Sequence, residues 1–249
     1  DAYQNSEGQR IIPLTYVCCN FASPIGNEPS LLTSDDAETF FHEMGHALHN
    51  LFKNVKYHST SDVPSDFVEL PSQFMEHWVF EPQVLAQYAK HYKTGEVIPQ
   101  ELVNKMQAAS KYGQGFATTE YLAASYLDMD YHVNPSPETI NVPEFEATTL
   151  NNRGLLFQIP PRYRSTYFKH TFEGGYSAGY YSYIWSEVLD CDAFEAFVES
   201  GDIFNKEIAE RFRKCILEPG GTYPADVMYE NFRGKQPDTS ALLRERGLE

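Results

Sequence analysis

Long apolar runs are missing from this 249-residue chain: no stretch approaches the roughly 18 residues a membrane-spanning helix needs, so no membrane partner is expected. Positive charge is also scarce. Nineteen Lys and Arg stand against 35 Asp and Glu, for a net charge of −16, and no basic run occurs, which removes nucleic acid from the expected partners. Cysteine is sparse too. Cys18, Cys19, Cys191 and Cys215 show no C-x-x-C spacing, argue against a disulfide scaffold and read as reduced core thiols. No internal repeat and no secretory signal is visible. The chain starts at Asp1 without Met, so an address could have been removed; the cytoplasm is the expected compartment, with the periplasm or secretion left open. What the chain does have is apolar mass. With 42% hydrophobic and 14% aromatic residues it can build a substantial core in one domain or a two-lobed one.

The most informative run is His42-Glu43-Met44-Gly45-His46. On a helix, i and i+4 share a face, so both imidazoles can bind one Zn²⁺ while Glu43 reaches a water at the remaining position. Neutral imidazoles plus a carboxylate leave one coordination site open, which is the arrangement of a hydrolase. The flanks support a helix: Thr33-Ser34-Asp35-Asp36 offers a cap and N-terminal carboxylates, and Phe40, Phe41, Met44, Ala47, Leu48, Leu51 and Phe52 recur near a period of 3.6. The bland alternative is a solvated helical surface that matches a short pattern by chance.

A third ligand must come from elsewhere. Position 49 is His and position 52 is Phe, so the extended H-E-x-x-H-x-x-G-x-x-H pattern is absent. A second helix opens near Ser65–Gln73 and offers Glu69 as the ligand. Asp66, one turn earlier, could accept the second ring N–H of a ligating His, or simply be a helix N-terminal carboxylate. His49 and His77 remain alternatives to Glu69. Farther on, Gly174-Gly175 precedes Tyr176, Tyr180 and Tyr183 at i, i+4 and i+7, which predicts three phenols on one helical face. They are either oxyanion donors or a tyrosine-rich core stripe.

Patterning predicts a mainly α protein. Ile11–Phe21 is the strand candidate, 23–29 a loop, and helices are expected near 34–54, 66–79, 82–93, 99–110, 115–129, 177–188, 192–201 and 205–216. Residues 133–143 read as a loop joining an anterior zinc half, about 1–132, to a posterior tyrosine half, about 144–249, of one catalytic domain. Lys111–Phe116 is either a hinge, a cleft loop or an ordinary helix break.

The runs Phe41–His49 and Asp66–Gln73 with Glu76-His77-Trp78, followed by His170–Trp185, resemble the catalytic core of the thimet-type zinc oligopeptidases and bacterial peptidyl-dipeptidases. The resemblance extends over essentially the whole chain. The segment 57–64 departs from it, being shorter and lacking a glycine, which puts substrate preference in question. The resemblance implies a zincin-like helical domain, part of a larger channel-type peptidase whose amino-terminal portion supplies much of the channel wall. It implies one Zn²⁺ on His42, His46 and Glu69, Glu43 as general base, and His170, Tyr176 and Tyr183 on the substrate backbone and the oxyanion; Tyr180 and Tyr181 stay undecided. Short peptides are the implied substrates and release of carboxyl-terminal dipeptides the implied reaction. Alternatives are cleavage inside oligopeptides, an inactive zinc-binding fragment or scaffold, and a metal-free helical protein with a fortuitous motif.

Overall fold

A computed structural model describes residues 2–249. Among them are eleven α-helices: α1 (Ser34–Phe52), α2 (Leu70–Glu76), α3 (Pro82–Tyr88), α4 (Gln100–Ser110), α5 (Gln114–His132), α6 (Val142–Asn152), α7 (Lys169–Phe172), α8 (Ser182–Ser200), α9 (Lys206–Phe212), α10 (Ala225–Arg233) and α11 (Ser240–Glu245). About 53% of the chain is helical, and the one sheet pairs β1 (Tyr3–Gln4) antiparallel with β2 (Arg10–Ile11). Among the described residues no helix is long and apolar enough to cross a membrane. The fold is mainly α with a small β element near the amino end, as the sequence leads one to expect.

The strand expected over Ile11–Phe21 is corrected: only Ile11 enters a ladder, and the rest is irregular. Its alternation is real, since Ile12, Leu14 and Tyr16 are 80–90% exposed, but a ladder requires a neighbour, and Pro13 removes one donor. The segment is instead tied to α1 by Asn50, whose amide donates to Thr15 Oγ1 over 2.7 Å. The two helices expected at 177–188 and 192–201 are one, α8, because no breaker interrupts the run. Helices α6, α7, α10 and α11 went unread.

Contacts divide the chain into two compact units, residues 1–109 with 186–249, and residues 110–185. In the first, α2 is the keystone. Phe67, Leu70, Phe74 and Trp78 enter a core with Leu189, Ala193 and Phe197 of α8, Phe212 of α9 and Met228, Tyr229 and Phe232 of α10. Phe74 stacks on Phe212 with centroids 4.1 Å apart, and Trp78 Nε1 donates to the Ile203 carbonyl. Full burial of such a side chain is worth about 2–3 kcal/mol, so the inner face of α2 is firmly held. Its other side meets α1 at Gly45, where a Cβ would lie 2.5 Å from Ser72 Cα. Only glycine lets the two backbones approach so closely. Helix α1 starts on a capping box: Thr33 Oγ1 accepts from Asp36 N–H, and the Asp36 carboxylate accepts from Thr33 N–H. Helix α9 continues into a π turn over Arg213–Leu217.

In the second unit, α5 packs on α6 through Ala123, Leu127 and Leu150. Two buried carboxylates organise its loops. Glu146 accepts from Ser165 N–H and Oγ–H and binds Arg164. Asp128, fully buried, accepts from Ala178 N–H (3.0 Å) and Tyr180 N–H (2.9 Å), with His132 Nδ1 at 3.0 Å. Ala178 has a φ of +53°, a conformation that costs a non-glycine residue on the order of 1 kcal/mol, and the Asp128 bonds offset that cost. Residues 173–181 are therefore turns, and α8 starts at Ser182, not 177.

Candidate metal centre and active site

Helix α1 projects His42 and His46 from one face, with ring centroids 4.9 Å apart and ring planes at 86°. Glu69, the residue before α2, is brought onto the same point: its Oε2 lies 3.3 Å from His42 Nε2 and 3.2 Å from His46 Nε2. The carboxylate is buried at 2% exposure, and its Oε2 accepts from Ser72 Oγ–H over 2.9 Å. One donor atom from each of the three residues falls within 4.8 Å of the others. The donor set fits a zinc ion. Bonds of 2.0–2.1 Å give a tetrahedron with edges of about 3.4 Å, close to the two spacings at Glu69. Two imidazoles converging on one buried carboxylate also concentrate lone pairs where a cation would relieve them.

The second ring nitrogen of His42 is held as well. Nδ1 is 2.5 Å from Glu76 Oε1. Burial opposes charging of this imidazole, but the Glu69 and Glu76 carboxylates more than offset it and push its pKa up to about 10 in the metal-free protein. Glu38, one turn before His42, is pushed up to about 7 by burial first, then by Glu76 and Asp35. Sequence reasoning gave Glu76 no role. The signal was its spacing of seven residues, two helical turns, from Glu69.

The other expected residues fall as follows. Glu43 follows His42 on α1 and is half-buried; burial and then the Glu43 carboxylate raise the pKa of the Cys19 thiol. Asp66 is half-buried in the turn ahead of α2. Neither alternative ligand joins the cluster of three. His49 is buried, and burial, then Lys53 and His46, lower its pKa to about 3. His77 Nε2 meets Asp190 Oδ1 at 2.7 Å and its ring stacks on Phe194.

In the second unit, His170, Tyr176 and Tyr183 come together. The rings of Tyr176 and Tyr183 stack at 5.2 Å, and that of His170 lies 6.3 and 6.2 Å from them. The single helical face expected for Tyr176, Tyr180 and Tyr183 is corrected, since only Tyr183 is in α8. The turn pinned by Asp128 brings Tyr176 to Tyr183 and sends Tyr180 into the core beside Ala124 and Phe168. Tyr181 is 40% exposed.

The chain is similar to several known proteins. A protein named dipeptidyl carboxypeptidase from Escherichia coli (strain K12) is 44% identical over 240 residues, covering 95% of this chain and 35% of its own length. Oligopeptidase A of the same organism is 38% identical over 98% of this chain and 36% of its own. Saccharolysin of Saccharomyces cerevisiae is 32% identical over 96% and 34%. The chain thus spans about a third of the length of the relatives it matches. The profile of peptidase family M3 matches residues 1–248, and the chain belongs to peptidase family M3.

Proposed function

We propose that this chain is the catalytic part of a zinc peptidase that releases dipeptides from the carboxyl ends of short peptides. The observation that carries the metal reading is the convergence of two imidazole nitrogens on one buried carboxylate oxygen at 3.2–3.3 Å. His42, His46 and Glu69 would hold the ion. Zinc, when bound there, would lower the pKa of water and polarise the scissile carbonyl.

The chain's own residues do the rest. Glu43 takes the proton from the attacking water and passes it to the departing amine. Glu76 fixes the tautomer and orientation of His42 through Nδ1, and Asp66 is a further positioning carboxylate. His170, Tyr176 and Tyr183 donate to the substrate backbone and to the oxyanion, each donor contributing a few kcal/mol when aligned. The anterior zinc segment and the posterior tyrosine segment act as one catalytic domain, and the remaining length of the enzyme supplies the rest of the channel wall.

Dipeptide release is favoured by the relative named dipeptidyl carboxypeptidase; the relative named oligopeptidase A keeps cleavage inside peptides as the second reading. The test is to incubate the enzyme with one peptide in free-acid and carboxyl-amidated forms, with and without a chelator, and to identify products by mass spectrometry. Dipeptides from the free acid alone, abolished by the chelator and restored by zinc, are expected. Equal internal cuts in both forms would replace the exo reading with the endo one, and turnover insensitive to chelation would overturn the zinc assignment. The 249 residues alone should bind zinc but turn over poorly, because orientation by both walls supplies several kcal/mol of the barrier.

A further inference from the structure

His77 is no ligand of the His42 site, but it belongs to a cluster of its own. One donor atom each from His77, Asp190 and Cys191 falls within 4.8 Å of the others, and all three residues lie in the unit that also carries His42, His46 and Glu69. His77 closes the carboxyl end of α2, and Asp190 and Cys191 are successive residues of α8. Asp190 and Cys191 are 2% and 5% exposed, while the His77 side chain keeps 15%, which leaves that edge of the cluster open to solvent.

The His77 ring lies flat on Phe194 with centroids 4.5 Å apart, and its Nε2 meets Asp190 Oδ1 at 2.7 Å. That pairing uses one carboxylate oxygen. Oδ2 is buried with no hydrogen-bond partner, a state that an apolar interior penalises, and the Cys191 thiol that bears on the same carboxylate is a weak donor. The surroundings add negative charge. Glu76, Glu187 and Glu245 act on the cluster from α2, α8 and α11, and Arg246 answers Glu187 with Nε at 3.0 Å. Imidazole, thiolate and carboxylate together are a donor set for zinc. Zinc bonds of about 2.0–2.1 Å to nitrogen and oxygen and 2.3 Å to sulfur set donor spacings of about 3.4–3.6 Å, so an ion needs the His77–Asp190 contact to open by only about 0.7 Å.

We propose that His77, Asp190 and Cys191 form a second zinc site, which ties the end of α2 to α8 and shares no ligand with the His42 site. Burial first, then Asp190, Glu187 and Glu245, raise the pKa of the Cys191 thiol, so an entering ion displaces a tightly held proton. The site therefore fills only with added metal, after the first. Once filled, it braces α2, with Glu69 at its head, against α8 and stabilises the folded state by linkage.

The experiment titrates the metal-free, full-length enzyme with Co²⁺, whose absorption reports its ligands. The first equivalent, on imidazole and carboxylate, should give d–d bands without sulfur charge transfer. The second should add a near-ultraviolet thiolate-to-cobalt band. Cys191→Ser should lose that band while keeping the first ion and peptide turnover; Asp190→Asn and His77→Gln should weaken the second ion by at least the about 10- to 100-fold that loss of an outer partner costs. Zinc beyond one equivalent should raise the melting temperature of the parent and not of Cys191→Ser. Glu69→Ala should lose the first ion and keep the sulfur band, so the two sites are read separately. A parent with no sulfur band at excess cobalt, or a band that survives in Cys191→Ser, would overturn the proposal. So would Asp190→Asn and His77→Gln variants that bind the second ion as the parent does.

Discussion

Gly45→Ala puts the α1–α2 contact under direct test. An added Cβ would lie 2.5 Å from Ser72 Cα, whereas carbon atoms rest at about 3.5–4.0 Å, so the helices must separate by about 1 Å. Two effects oppose each other. Alanine favours the helical state of α1 by about 1 kcal/mol, while overpacking costs typically 1–3 kcal/mol, and here the obstacle is backbone that cannot rotate away. The steric cost should win, leaving the variant about 1–2 kcal/mol less stable. The separation also carries Glu69 away from His42 and His46, and metal–ligand distances tolerate only about ±0.2 Å. Zinc affinity should therefore fall by at least about tenfold, beyond any loss of stability. Competition against a chromophoric chelator and thermal unfolding of the metal-free protein measure the two quantities separately. A variant of equal zinc affinity and raised melting temperature would refute the reasoning.

Glu69→Ala should weaken zinc binding strongly, with metal content near one per chain only in the parent, while His77→Ala keeps its metal; the reverse result would reassign the third ligand. In the full-length enzyme, Glu43→Gln should lower turnover by about 10²–10⁴ with zinc retained, and unchanged turnover would remove Glu43 as the base. Tyr183→Phe should lower kcat by on the order of 10² at constant KM; a matching loss of melting temperature instead would make the phenol a core residue. For Glu38, a folded-state pKa near 7 against 4.5 unfolded means the folded chain binds the proton more tightly, so its contribution to stability falls as pH rises from about 4.5 to 7. Glu38→Gln should then stabilise the metal-free protein at pH 8, by up to about 3 kcal/mol, and not at pH 4; equal effects at both pH values would contradict the shift.

Much of the layout of the His42, His46 and Glu69 cluster was readable because it is local. The turn-to-turn spacing of His42 and His46 follows from helix geometry, and Glu69 announces itself at the head of a second apolar helix. Glu76 was missed because a carboxylate near a helix end has many ordinary explanations, and only its contact with His42 Nδ1 distinguishes it. The tyrosine segment misled through its periodicity: Tyr176, Tyr180 and Tyr183 have helical spacing, but the positive φ of Ala178, held by a carboxylate 50 residues earlier, makes a turn. The same is true of 11–21, where alternation is written in the residues and the missing ladder partner is not.

One consequence of α2 concerns time more than affinity. That single seven-residue rod is flanked by Glu69 and ends with Glu76, and the two carboxylates clasp His42 at opposite nitrogens of its ring. A caliper of this kind prevents the imidazole from flipping or changing rotamer whether or not an ion is present. Metal capture then needs no search among side-chain states, only the displacement of protons. Uptake of zinc by the metal-free protein should accordingly be limited by proton release and diffusion, and should proceed as quickly as the surrounding pool can deliver the ion.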